Sequence, residues 1–130
     1  MFLRAVFPAL VWTIVIFLLC SFPGDAIPSI SWLELLSFDK WVHFGIFFLL
    51  QLLWMRGFCI QNKFPLLKKY FTIIALLICI PYGAALEMMQ KFIFLSRSGD
   101  ILDFIANSCG VLAASFSFQR IRPYLMMPAV

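Results

Sequence analysis

Four apolar segments, each close to the length that crosses a bilayer, take up most of this 130-residue chain. They cover roughly residues 5–22, 39–55, 70–90 and 100–118, with short polar connections between them. A helix needs about 20 apolar residues to span the hydrocarbon core. Helices also satisfy their own backbone hydrogen bonds, which lipid cannot do for them. The expected fold is therefore all-α: a membrane bundle of four transmembrane helices, forming a single domain over residues 1–130. The chain is 64% hydrophobic and 12% charged, whereas soluble domains are about a quarter charged. So small a soluble domain cannot bury that much apolar surface.

The segment ends are marked by local chemistry. Arg4 precedes the first segment and Pro23-Gly24 ends it, with Pro8 in its opening turns. A signal peptide has the same basic start and apolar centre. Phe17-Leu18-Leu19 before Cys20 lacks the small residues that a cleavage site requires, which favours a retained span. Residues 23–40 contain Trp32, Leu33, Leu35 and Leu36 around Glu34, a pattern for a short interfacial helix, with Trp32 and Trp41 in the aromatic belt. The second segment is short and interrupted by His43 and Gln51, so it is expected to pack against the other helices. Pro81 and Gly83 predict a kink in the third. Arg120, Arg122 and Pro123 end the fourth. No internal repeat is evident.

Charge sets the orientation. With four spans, Arg4, Arg56, Lys63, Lys68, Lys69, Arg120 and Arg122 fall on one side with no acid. All six acids, Asp25, Glu34, Asp39, Glu87, Asp100 and Asp103, fall on the other, with Lys40, Lys91 and Arg97. The positive-inside rule then makes both termini cytoplasmic. No basic stripe with interleaved aromatics is present, so no nucleic-acid partner is expected. The cysteines, Cys20, Cys59, Cys79 and Cys109, include no closely spaced pair. They read as packing residues rather than a disulfide or metal framework.

Three polar clusters meet at the outer ends of segments two, three and four. Asp39 and Lys40 open the second, with His43 four residues after Asp39 on the same helix face. Glu87 and Gln90 close the third. Arg97 precedes Asp100, Asp103 and Asn107, whose offsets of 0, 3 and 7 form one stripe, extended by the small residues Gly110 and Ala114. Each cluster has a plainer explanation. Asp39, Asp100 and Asp103 suit helix N-termini through capping and the helix dipole. His43 can be a packed histidine, Gln90 a helix end and Arg97 a headgroup anchor. Capping does not account for Asn107, two turns into its helix. A carboxylate such as Glu87 near a close helix contact needs a partner. Ionisable groups at membrane depth are usually functional.

Asp39-Lys40-x-x-His43 opening one span, Glu87-x-x-Gln90 closing the next, then Arg97, Asp100, Asp103, Asn107 and Gly110, resemble the VanZ-like family of small bacterial membrane proteins. The resemblance covers about residues 39–114. It implies four spans in the bacterial cytoplasmic membrane, and through a family member it suggests a link to teicoplanin resistance. It points to no particular chemistry and leaves any cofactor open.

Three functions are open at this point. The first is a protein whose outward polar pocket binds a membrane lipid, or a lipid-linked envelope precursor, by its phosphate-bearing headgroup. Arg97, Lys40 and His43 would contact the anion, with Asp39, Glu87, Gln90, Asp100, Asp103 and Asn107 around them. The second is an intramembrane enzyme on a lipid-linked substrate, with His43, Glu87 and Asp103 as candidate catalytic groups. In that reading His43 is a general acid or base, or Asp100, Asp103 and Glu87 clamp a phosphate through a divalent cation. No dedicated metal site is assigned. The third is a polar network that only locks the helices together. A transporter is disfavoured, because the inner halves of the spans offer few polar residues.

Overall fold

A computed structural model describes residues 1–23, 38–94 and 99–126. Among these every regular element is helical: α1 (Phe2–Ser21), α2 (Phe38–Ile60), the short α3 (Pro65–Lys69), α4 (Phe71–Phe92) and α5 (Ile101–Leu125). All but α3 are long and apolar enough to cross a membrane. The chain is thus a multi-pass membrane protein. Glu34 and Trp32 of the expected interfacial helix, and Arg97, lie outside the described residues.

Helix ends follow the residues that set them. α1 stops at Phe22, which takes an extended conformation before Pro23, as the proline ring requires of its predecessor. Asp100 caps α5, its side chain accepting from the Leu102 N–H. α2 and α5 run further than the apolar pattern indicates, to Ile60 rather than Met55 and to Leu125 rather than Phe118. The polar residues expected to stop them are used instead. Arg56 Nε donates to the Leu125 carbonyl at 2.8 Å, satisfying a helix-end acceptor. Pro123 falls in the last turn of α5. α4 continues through Pro81 and Gly83 without a break.

Cross-helix contacts fix the directions. Gly57 on α2 meets the Ala5 backbone on α1, and Trp12 Nε1 donates to the Ile46 carbonyl, so these two helices run antiparallel. Tyr82 reaches the Thr13 carbonyl and Gln90 the Cys20 carbonyl, so α4 runs parallel to α1. His43 meets Asn107, and Gln51 meets Ser115, so α5 runs parallel to α2. Both described chain ends and α3 therefore share one end of the bundle. Arg4, Arg56, Lys63, Lys68, Lys69, Arg120 and Arg122 are at that end. Asp39, Glu87, Asp100 and Asp103 are at the other. Among the described residues no acid lies at the basic end.

α2 is the central helix. Half of its apolar window is buried, against 22–28% for the other spans, and its contact with α5 is the most extensive in the molecule. Gly110 makes this contact possible. A Cβ there would overlap the Phe44 carbonyl oxygen, so the two backbones touch as small residues permit in membrane bundles.

Candidate functional site at the acidic end

The site is built from the first turns of α2 and α5 and the last turns of α4. With a rise of about 1.5 Å per residue, His43, Glu87 and Asn107 each sit within about 10 Å of their helix ends. Below them the core is apolar, formed by Phe47, Leu50, Leu86 and Val111. Gly83 gives the Phe47 ring its place: a Cβ there would lie 3.1 Å from the ring and 3.6 Å from Asn107 Cβ.

His43, Glu87 and Asn107 are all buried. His43 Nδ1 lies 3.0 Å from Asn107 Oδ1. Asn107 Nδ2 faces Glu87 Oε1 at 3.5 Å. An amide oxygen only accepts, so His43 Nδ1 carries the proton in this contact. Nδ1 is also 3.9 Å from Glu87 Oε1, while Nε2 is 3.7 Å from Asp103 Oδ2. Glu87 has a further tie, since its Oε2 accepts the Asp100 backbone N–H at 3.2 Å. Gly99 lets that loop approach, because a Cβ there would overlap the Glu87 carbonyl oxygen.

Lys40 forms the rim. Its ammonium bonds Asp39 at 2.8 Å, Asp100 at 3.1 Å and Asp103 more closely still. Asp39 and Asp100 are the exposed members of this group, and Asp103 is its inner one. The Leu102 N–H and the Lys40 ammonium hold the Asp100 carboxyl below the usual carboxylate range. Asp103 therefore faces two ways, with Oδ1 on Lys40 and Oδ2 toward His43.

Of the nine residues expected at the site, seven come together: Asp39, Lys40, His43, Glu87, Asp100, Asp103 and Asn107. Gln90 is buried but turns to α1, donating to the Cys20 carbonyl at 3.2 Å. Three residues after Glu87, it occupies the flank of α4 that faces α1. It therefore ties two helices together. Arg97 is the ninth.

The charge balance differs from what a simple phosphate pocket needs. Asp39, Glu87, Asp100 and Asp103 stand against Lys40 alone among the described residues. With a neutral imidazole, three negative charges are left over. His43, Glu87 and Asp103 each also present a ligand atom, all within 4.8 Å of one another. Comparison with family models, curated proteins and solved structures finds no match to the chain.

Proposed function

We propose that the protein binds the phosphate-bearing headgroup of a membrane lipid or lipid-linked envelope precursor, at the outer face of a bacterial cytoplasmic membrane. The observation that carries this reading is a buried His43–Asn107–Glu87 network with an exposed ionic rim, on three helix ends. The positive-inside rule supports the orientation, since the opposite end holds seven basic residues, no described acid and both described chain ends. Lys40, Arg97 and His43 are the anion contacts in this reading. Its resemblance to the VanZ-like family rests on the same residues and extends the proposal to the envelope and to teicoplanin resistance.

A second reading is favoured by one specific feature. His43 has its Nδ1 committed to Asn107 and its Nε2 open beside Asp103, the arrangement a general base requires. This reading is an enzyme acting on a lipid-linked substrate.

Native mass spectrometry of detergent-purified protein separates the two. Binding predicts a phosphate-bearing lipid retained by the wild type, lost in Arg97→Ala, with no chemical change to the lipid. Enzymatic turnover predicts a chemically altered lipid that disappears in a folded His43→Ala variant. A wild type that retains no lipid and alters none overturns both.

A further inference from the structure

We infer that His43, Glu87 and Asp103 bind a divalent first-row transition-metal ion. The inference rests on the reading of this site as a ligand-binding site and names what would make it receptive to phosphate.

Three observations support it. First, the three residues come from three different helices, and one ligand atom from each lies within 4.8 Å of the others. Three nitrogen and oxygen ligands about 2.0–2.2 Å from a metal are roughly 3–4 Å apart, so the side chains would draw inward around the ion.

Second, the polar partners hold one atom of each residue and leave His43 Nε2 and Asp103 Oδ2 without a hydrogen bond among the described residues. His43 is 9% exposed, and its Nε2 has no hydrogen-bond partner among the described residues. Asp103 Oδ2 is the near group, at 3.7 Å. The other ring nitrogen donates to the Asn107 amide oxygen. Metal-bound histidines are held by the same kind of outer partner, which fixes the tautomer and aims the lone pair. Asp103 Oδ1 is held by Lys40, and Glu87 Oε2 by the Asp100 N–H. His43 and Asp103 thus each have one atom anchored and another turned toward the other, whereas Glu87 Oε1 faces Asn107 Nδ2 at 3.5 Å and His43 Nδ1 at 3.9 Å, a long contact that ligation would replace.

Third, the charge calls for a cation. Among the described residues Lys40 alone stands against four carboxylates, of which Glu87 and Asp103 are the inner pair and Asp39 and Asp100 are exposed, and unpaired charge toward a membrane interior is costly. A bound divalent ion offsets two of these negative charges. It also supplies a second positive centre for a phosphate beside Lys40, whose charge is already shared among three carboxylates. One imidazole and two carboxylates suit Mn²⁺ or Zn²⁺ better than Ca²⁺. With three protein ligands, coordination positions stay open to a phosphate oxygen, as in sites that bind exchangeable ligands.

The test uses the full-length protein in detergent, stripped with a chelator and titrated with Mn²⁺ alone and Zn²⁺ alone. Mn²⁺ is followed by electron paramagnetic resonance and Zn²⁺ by calorimetry. The expected result is one saturable site. Glu87→Gln and Asp103→Asn should each weaken it by at least about tenfold. Bound Mn²⁺ should show coupling to a nitrogen, lost in His43→Gln. Gly45→Ala, at a position with nothing within 4 Å of the added methyl, should bind as wild type. The wild-type titration decides even where a variant fails to fold. No saturable binding of either ion overturns the inference, as does wild-type affinity in folded Glu87→Gln and Asp103→Asn. Lipid retention is scored separately. Metal binding without lipid upholds the metal site and overturns the headgroup reading. Lipid without metal does the reverse.

Discussion

Asn107 and Gln51 are both buried amide side chains on the α2–α5 contact, yet their surroundings predict different costs of removal. Asn107 bonds His43 with its oxygen and Glu87 with its nitrogen, so Asn107→Leu strands two buried polar groups. Leaving such groups unpaired costs about 1–3 kcal/mol. Gln51 donates to Ser115 Oγ at 3.0 Å, while its own Oε1 has no partner among the described residues. Ser115 keeps its bond to the Val111 carbonyl without it. Gln51→Leu should therefore change stability by less than about 1 kcal/mol, and thermal unfolding in detergent would distinguish the two. Asp100 gives a pH prediction. Its pKa is depressed in the folded protein by the Leu102 N–H and Lys40. The stability it contributes is then fully present above its unfolded value of about 3.9 and lost as pH falls through the lower folded value. Asp100→Asn retains a capping oxygen but not the charge. It should flatten the stability loss below about pH 4, measured by unfolding across pH. An unchanged acid limb would mean that Asp100 does not carry this loss.

At the scale of helices, the bundle depends on how closely α2 and α5 approach. Gly110→Ala puts a methyl group onto the Phe44 carbonyl oxygen and near the Phe48 nitrogen. Backbone cannot rotate away as a side chain can, so the helices must separate, at a cost of about 1–3 kcal/mol. Gly45→Ala on α2 meets nothing and should instead stabilise by up to about 1 kcal/mol through helix propensity. Melting temperatures of the two variants should therefore move in opposite directions. The helix ends show where sequence reading falls short. Apolar runs located all four spans, but α2 and α5 outlast their runs by a turn or more. Arg56 marks a membrane edge by its charge, yet it stays in the helix because its side chain reaches the end of α5. That partner is 69 residues away, and no local pattern reveals it.

Across the whole molecule, charge and helical spacing made much of the site legible. The four-residue step from Asp39 to His43 and the stripe through Asp100, Asp103 and Asn107 each put their residues on one helix face. Alternation of four spans brought the two faces and Glu87 to one end. Pairings between helices were not legible, because they depend on rotation about each helix axis. Lys40 reads as an anion contact from sequence, and the fold adds that three carboxylates surround it. Gln90 reads as part of the site, but its helix turns it toward α1. The central claim is that three helices enclose His43 with Glu87 and Asp103. The chain has one histidine, so ¹⁵N magnetic resonance of histidine-labelled protein reports on this site alone. The account predicts an imidazole protonated at Nδ1 and held there by Asn107, with resonances that shift in Glu87→Gln, Asp103→Asn and Asn107→Leu. A rapidly averaging imidazole whose resonances are the same in all three variants would contradict it.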